Sequence, residues 1–327
     1  MKSARGPWRE EIQASNIRSI LRPALIEYLE AFEHRPSVEG LVLLGGASSC
    51  QGRAVLDEYS DLDAAVFISI PAATPWVGQQ NSVRTFLNQS QNLLPPWLPP
   101  FQLAIPCPGT KAGEISLDLH QLIVELEEDD ARVWDEGCRQ AYSETGEIIF
   151  DRSGRVGRII ARKTEWDEDE AWRTLIRVIG QIYWCGCVNP PRQLARGLPD
   201  HAHDLLNEAL DGIIHVAYIA NRRYRPHRKW RLRESFSLPS LPPRFKERVL
   251  EALVIRDLEP AHVGSRIHLV TDLITDVTEL ASRFWELPED CYNAACQFSY
   301  DDRQLRRPTD QATNRPRSKA EGRSNIQ

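Results

Sequence analysis

The stretch from Leu41 to Phe67, LVLLGGASSCQGRAVLDEYSDLDAAVF, constrains this chain more than any other. The apolar run Leu41-Val42-Leu43-Leu44 stops at Gly45-Gly46. A small polar segment with Ser48 and Ser49 follows, and the chain then reaches Ser60-Asp61-Leu62-Asp63 and a second apolar run. That order reads as strand, glycine turn, loop, strand. Side chains alternate along a strand, so Asp61 and Asp63 share one face while Leu62, Ala64 and Val66 point into the core. Two carboxylates held side by side repel each other unless a cation sits on them.

Magnesium is the natural cation for such a pair. It prefers hard oxygen ligands, takes one or two carboxylates from a protein, and fills its remaining positions with water and substrate phosphates. The glycines supply the complement, because a backbone without Cβ lets amide N–H groups come close to a polyphosphate. Carboxylates for metal and bare backbone for phosphate point to a nucleoside triphosphate.

Leu44-Gly45-Gly46, a spacer, and Asp61-Leu62-Asp63-Ala64 together resemble the signature of the nucleotidyltransferase superfamily that includes DNA polymerase beta, poly(A) polymerases and the antibiotic nucleotidyltransferases. The resemblance implies that Asp61 and Asp63 hold Mg²⁺, two ions in all. It also implies that Gly45, Gly46 and one of Ser48 and Ser49 meet the phosphates, and that a third carboxylate comes from a later strand. The segment Glu114-Ile115-Ser116-Leu117-Asp118-Leu119-His120 alternates strictly, with Ser116, Asp118 and His120 on one face. Asp118 is the residue that matches the third carboxylate, with Glu114 as the fallback and His120 as a neighbour tuning that face.

A chain of 327 residues has room for two domains, and a net charge of −6 argues against a general nucleic-acid coat. The first basic residues are not followed by an apolar segment, and no long apolar run occurs, so a cytoplasmic protein with no membrane partner is expected. Seven cysteines without a paired CxxC framework indicate neither a disulfide scaffold nor a structural zinc site. Cys185 and Cys187 read as thiols in an apolar helical stretch.

In chain order, helical spacing predicts a helix over 16–33, strands over 39–44 and 61–70, a helix over 81–94, a proline-aromatic loop at 95–100, and strands over 101–105 and 114–120. Glu127-Glu128-Asp129-Asp130 reads as a solvated helix start, and a last strand spans 147–150. From there apolar residues recur at helical spacing, which places the domain boundary at 152/153. Helices are expected over 159–187 with an interruption near 164–168, over 201–221, from Pro242-Pro243 to 256, and over 265–286. Residues 303–327 are a basic tail with the composition of disorder.

The helix over 201–221 carries Asp204, Glu208 and Asp211 on one face. They read either as a solvated face or as the source of a general base toward an acceptor hydroxyl. Just beyond it, Asn221-Arg222-Arg223-Tyr224-Arg225-Pro226-His227-Arg228-Lys229-Trp230 interleaves basic and aromatic side chains, suited to phosphates and stacked bases. It is similar to an ending found in helical domains fused to bacterial nucleotidyltransferases, which implies that Tyr224 and Lys229 face the nucleotide or pyrophosphate. A purely structural lid is the alternative.

The expectation is therefore an α/β nucleotidyltransferase domain over 1–152, a mixed sheet with flanking helices, followed by an all-α bundle over 153–302. The resemblance implies transfer of a nucleoside monophosphate, with ATP as donor, to a hydroxyl of a small-molecule acceptor such as an aminoglycoside-like compound. Protein or tRNA nucleotidylation, or a catalytically silent nucleotide- or RNA-binding protein, are the alternatives.

Overall fold

The computed structural model describes residues 38–45, 62–69, 101–106 and 113–298, together with Pro23, Ile26, Glu30 and Glu33, which are helical. Gly46, Ser48, Ser49 and Asp61, the expected helix over 81–94, the proline-aromatic loop and the basic tail lie outside the described residues. Contacts divide the chain into two compact units, Met1–Glu165 and Trp166–Gln327.

The first unit is built on a mixed sheet of five strands. β1 (Val38–Leu44), β2 (Leu62–Ile68), β3 (Phe101–Pro106), β4 (Glu114–Ile123) and β5 (Glu147–Asp151) stand in the order β3-β4-β2-β1-β5. β2 and β4 are parallel and every other pairing is antiparallel. The apolar runs of β1 and β2 explain their central position. Leu62, Ala64 and Val66 are buried as alternation requires, but Ala65 and Phe67 on the opposite face are buried too, so both faces of these strands are covered.

The face that carries Val42, Leu44, Ala65 and Phe67 packs under two helical elements. α1 (Glu136–Gln140) begins at Asp135, whose carboxylate accepts from the Cys138 amide at 2.7 Å, and it runs on as a π-helical turn, Ala141–Thr145. Tyr142 in that turn packs on Trp134, ring centroids 4.5 Å apart, and edge-on to Phe67 at 6.3 Å. α2 (Arg155–Lys163) adds Val156, Ile159 and Ile160 to the same core.

Two expectations change here. The sheet unit runs to Glu165 and not to 152, because α2 packs on the sheet despite its helical spacing. The acidic run is exposed at Glu128, Asp129 and Asp130 as expected, but it closes the short helix Val124–Glu127 and does not start one. Arg155 donates to Glu125 at 3.2 Å and to both carboxylate oxygens of Glu128 at 2.8 and 2.6 Å. Glu127 is fully buried and accepts from Trp134 Nε1 at 2.8 Å, while Lys163 donates to the Asp129 carbonyl at 2.5 Å. The bond to Arg155 draws the Glu128 carboxyl below its usual 4.5. The acids are the other half of a clamp on α2.

The second unit is helical. α3 (Glu168–Ile182) starts where Asp167 caps the amides of Asp169 and Glu170 at 2.8 and 2.9 Å, so the expected break near 164–168 is present. It continues as a π-helical segment, Tyr183–Val188, into α4 (Asn189–Ala195), whose prolines lie in the first turn where their missing amides cost nothing. α5 (Pro199–Ala220), α6 (Arg228–Ser235), α7 (Phe245–Leu253), α8 (Pro260–Ser282) and α9 (Cys291–Phe298) follow. Trp172, Leu206, Ile213, Val270 and Ile274 are among its core residues. Cys185 is buried, Cys187 is half-buried, and both are free thiols. No helix among the described residues is long and apolar enough to cross a membrane.

Candidate active site

Two of the three expected carboxylates are described, and the sheet brings them together. β2 and β4 are parallel neighbours with Asp63 opposite Asp118 in register. Adjacent strands lie about 4.8 Å apart, so alternation sets both side chains on one face in one row. Both residues are half-buried. The next row on that face pairs buried Ala65 with half-buried His120, two residues further into the sheet. Glu114, the fallback, pairs with Pro106 at the far end of β4, four residues from the carboxylate row.

β1 delivers the glycine turn to the same row. Leu44, its last residue, pairs with Asp63, and Gly45 follows with φ +57°, a left-handed conformation natural to glycine. A Cβ on Gly45 would lie 3.0 Å from Asp63 Oδ2. Bare backbone and carboxylate are therefore in direct apposition, as the strand–turn–strand pattern requires.

One detail departs from that pattern. The Gly45 amide donates to Thr145 Oγ1 at 3.0 Å, and the Thr145 hydroxyl donates to the Ala141 carbonyl at 2.7 Å. This amide is engaged inside the protein and not directed at a phosphate. Thr145 ends the π-helical turn, a kind of irregularity that recurs at functional sites, and a hundred residues separate it from Gly45. No local pattern in the sequence points to it.

Among the described residues no group of three or more His, Cys, Asp or Glu is placed to hold a metal ion. The donor type that is described suits Mg²⁺: Asp63 and Asp118 offer two hard carboxylates on paired strands. Asp61 would be the third.

The expected residues of the helical unit have neighbours within that unit. Tyr224 is half-buried with its ring 4.9 Å from that of Trp166, inclined at 52°. Lys229 is exposed, its ammonium 5.8 Å from the ring of Trp230. Asp211 is bound by two guanidinium groups, Arg225 at 3.2 Å and Arg231 at 2.7 Å. Glu208 accepts from Gln181, and Asp204 is exposed. Part of the basic stretch is thus a structural lock, with Arg222 on Glu168 at 2.8 Å and over the Trp285 ring at 5.3 Å. Arg228, Lys229 and Trp230 remain exposed on α6.

A family described as a domain of unknown function, DUF4037, matches residues 139–231. No curated protein matches the chain significantly. Among solved structures, the nucleotidyltransferase-like protein from Exiguobacterium sibiricum 255-15 is similar over 80% of this chain and 76% of its own, at 12% identity and a TM-score of 0.41. An aminoglycoside 6-adenyltransferase from Bacillus subtilis is similar over 87% of this chain and 98% of its own, at 12% identity and a TM-score of 0.36. Neither likeness is close enough to bear on the chemistry of the row described above.

Proposed function

We propose that this chain is a Mg²⁺-dependent nucleotidyltransferase that moves AMP from ATP to a hydroxyl of a small-molecule acceptor, releasing pyrophosphate. The observation that carries the reading is the register of Asp63 with Asp118 beside the left-handed turn at Gly45. Two hard carboxylates in one half-buried row are a donor pair that suits a divalent cation, and the bare backbone beside one of them leaves space for a phosphate.

In this reading Asp61, Asp63 and Asp118 hold the ions. The chemistry that Mg²⁺ held by these residues would supply is neutralisation of the triphosphate and a lower pKa for the acceptor hydroxyl. The acceptor hydroxyl gives up its proton to solvent water as its oxygen bonds to the α-phosphorus, the bond from the α-phosphorus to the bridging oxygen breaks, and its electron pair leaves with pyrophosphate. β2 and β4 fix the spacing of the two carboxylates, and Gly45 leaves room for the phosphates because no Cβ intrudes. Thr145 holds that turn in place from below.

A second reading, with protein or RNA as acceptor, is favoured by Arg228, Lys229 and Trp230, which present charge and an aromatic face to solvent. The test is incorporation of α-labelled AMP with Mg²⁺ in a cell extract, with mass spectrometry to report what carries the label. Labelling of a small molecule that is lost in Asp63→Asn and in Asp118→Asn supports the first reading, and labelling of a macromolecule the second. Nucleotide binding without incorporation in wild type or variants would instead leave a silent binding protein.

A further inference from the structure

The helical unit contains a groove of about 630 Å³ where the π-helical segment after α3, the end of α8 and the start of α9 meet. Three aromatic residues, Tyr183, Trp285 and Tyr292, line it together with the carboxylates of Glu286, Glu289 and Asp290. Neither lysine nor arginine is among the described residues that line it. Two arginines touch the lining from outside, Arg283 on Glu279 at 2.8 Å and Arg222 over the Trp285 ring at 5.3 Å, which leaves Tyr183, Tyr292, Glu286 and Glu289 for a ligand. Asp290 caps α9, accepting from the Asn293 amide at 2.9 Å and from its side chain at 2.6 Å. Glu286 and Glu289 are exposed, and their carboxylates make no hydrogen bond or ion pair among the described residues. Tyr183 and Thr278 both belong to the wall.

From this lining we infer that the groove binds a small organic cation bearing ammonium groups, of the size and flexibility of a linear polyamine. The volume falls within the range of about 300–1,000 Å³ usual for small-molecule sites. The rings of Tyr183 and Tyr292 attract a cation through their negative faces, the carboxylates of Glu286 and Glu289 supply countercharge, and the tyrosine hydroxyls accept ammonium N–H bonds. Phosphates and nucleotides are repelled by the same lining. The site belongs wholly to the helical unit and rests on nothing in the transfer reading, so it is tested without nucleotide.

Spermidine is the probe, titrated calorimetrically into the full chain at low salt. One saturable site is expected, weakened about tenfold in Glu286→Gln/Glu289→Gln, because two carboxylate contacts of ordinary surface strength are lost. Tyr292→Ala should weaken it as well. The control is Glu247→Gln/Glu251→Gln on α7, which removes the same charge outside the groove and should leave affinity within about twofold. Absence of saturable binding by wild type overturns the inference. So does an equal loss in the control pair, which would reduce the effect to the net charge of the chain. The glutamate pair is solvent-exposed, so it reports on the groove even where Tyr292→Ala is too unstable to assay.

Discussion

Gly45 shows how much a single position decides. Any other residue there carries a left-handed backbone penalty of about 1–2 kcal/mol, and its Cβ would press on Asp63 Oδ2 from 3.0 Å. Gly45→Ala is therefore expected to lower the midpoint of thermal unfolding by several degrees and to reduce AMP transfer by much more than the stability loss explains, because the displaced carboxylate is the metal ligand of the proposed site. Unchanged transfer with a lowered midpoint would detach the turn from the chemistry. Asp63→Asn and Asp118→Asn are expected to fall below about a thousandth of wild-type activity with little change in melting, since a neutral amide is a poor Mg²⁺ ligand but a close isostere. That Asp118 stands beside Asp63 was expected from the family resemblance, which calls for a third carboxylate from a later strand, while alternation set only which face of its own strand each acid shares. Thr145 was not legible in the sequence, because the bond it makes to Gly45 depends on how a π-helical turn closes over the sheet.

At the level of elements, the strands and long helices follow from periodicity, whereas three short helices escaped it. α4 carries two prolines in its first turn, five of the eight residues of α6 are charged, and α9 lies beyond the last long apolar pattern. The acidic run misled for a related reason: its partners Arg155, Arg162 and Lys163 lie about thirty residues on and reach it only once α2 has docked. Close packing of the helices was equally invisible. Gly212 of α5 sits against Ile182 and Val178 of α3, and a Cβ there would overlap Ile182 Cγ2. Helix propensity alone would have Gly212→Ala stabilise α5 by about 1 kcal/mol. Overpacking against a fully buried neighbour costs about 1–3 kcal/mol, and Ile182 has no exposed surface through which to yield. A net loss of about 1 kcal/mol is expected in denaturant unfolding, with part of it recovered in the Gly212→Ala/Ile182→Ala pair relative to the sum of the single changes. A stabilised single variant would show that α3 and α5 have slack.

On the scale of the whole chain, two units with separate cores imply two separate responses to acid, and the helical one carries an identifiable titrating group. Arg266 is 6% exposed and joins three helices, donating to the Ala252 carbonyl of α7 at 2.6 Å and, on α5, to Asn207 Oδ1 at 2.6 Å and His203 Nδ1 at 2.7 Å. The last bond needs a lone pair on Nδ1, hence a neutral ring. Burial first, and then the adjacent guanidinium, hold the His203 imidazole below its usual 6.5, with Asp204 opposing. Between that lowered value and 6.5 the unfolded chain binds more protons than the folded one, so unfolding free energy rises with pH across this window. The stabilising contribution is complete above the unfolded pKa and is lost as pH falls through the folded one. Thermal melts of the full chain from about pH 7.5 down to about pH 5 should show the midpoint of the helical unit dropping. In His203→Asn, whose amide oxygen replaces the Nδ1 acceptor and does not titrate, the same scan should be flatter. An identical slope in wild type and variant would move the acid sensitivity to another group and leave Arg266 a buried cation held by neutral oxygens alone.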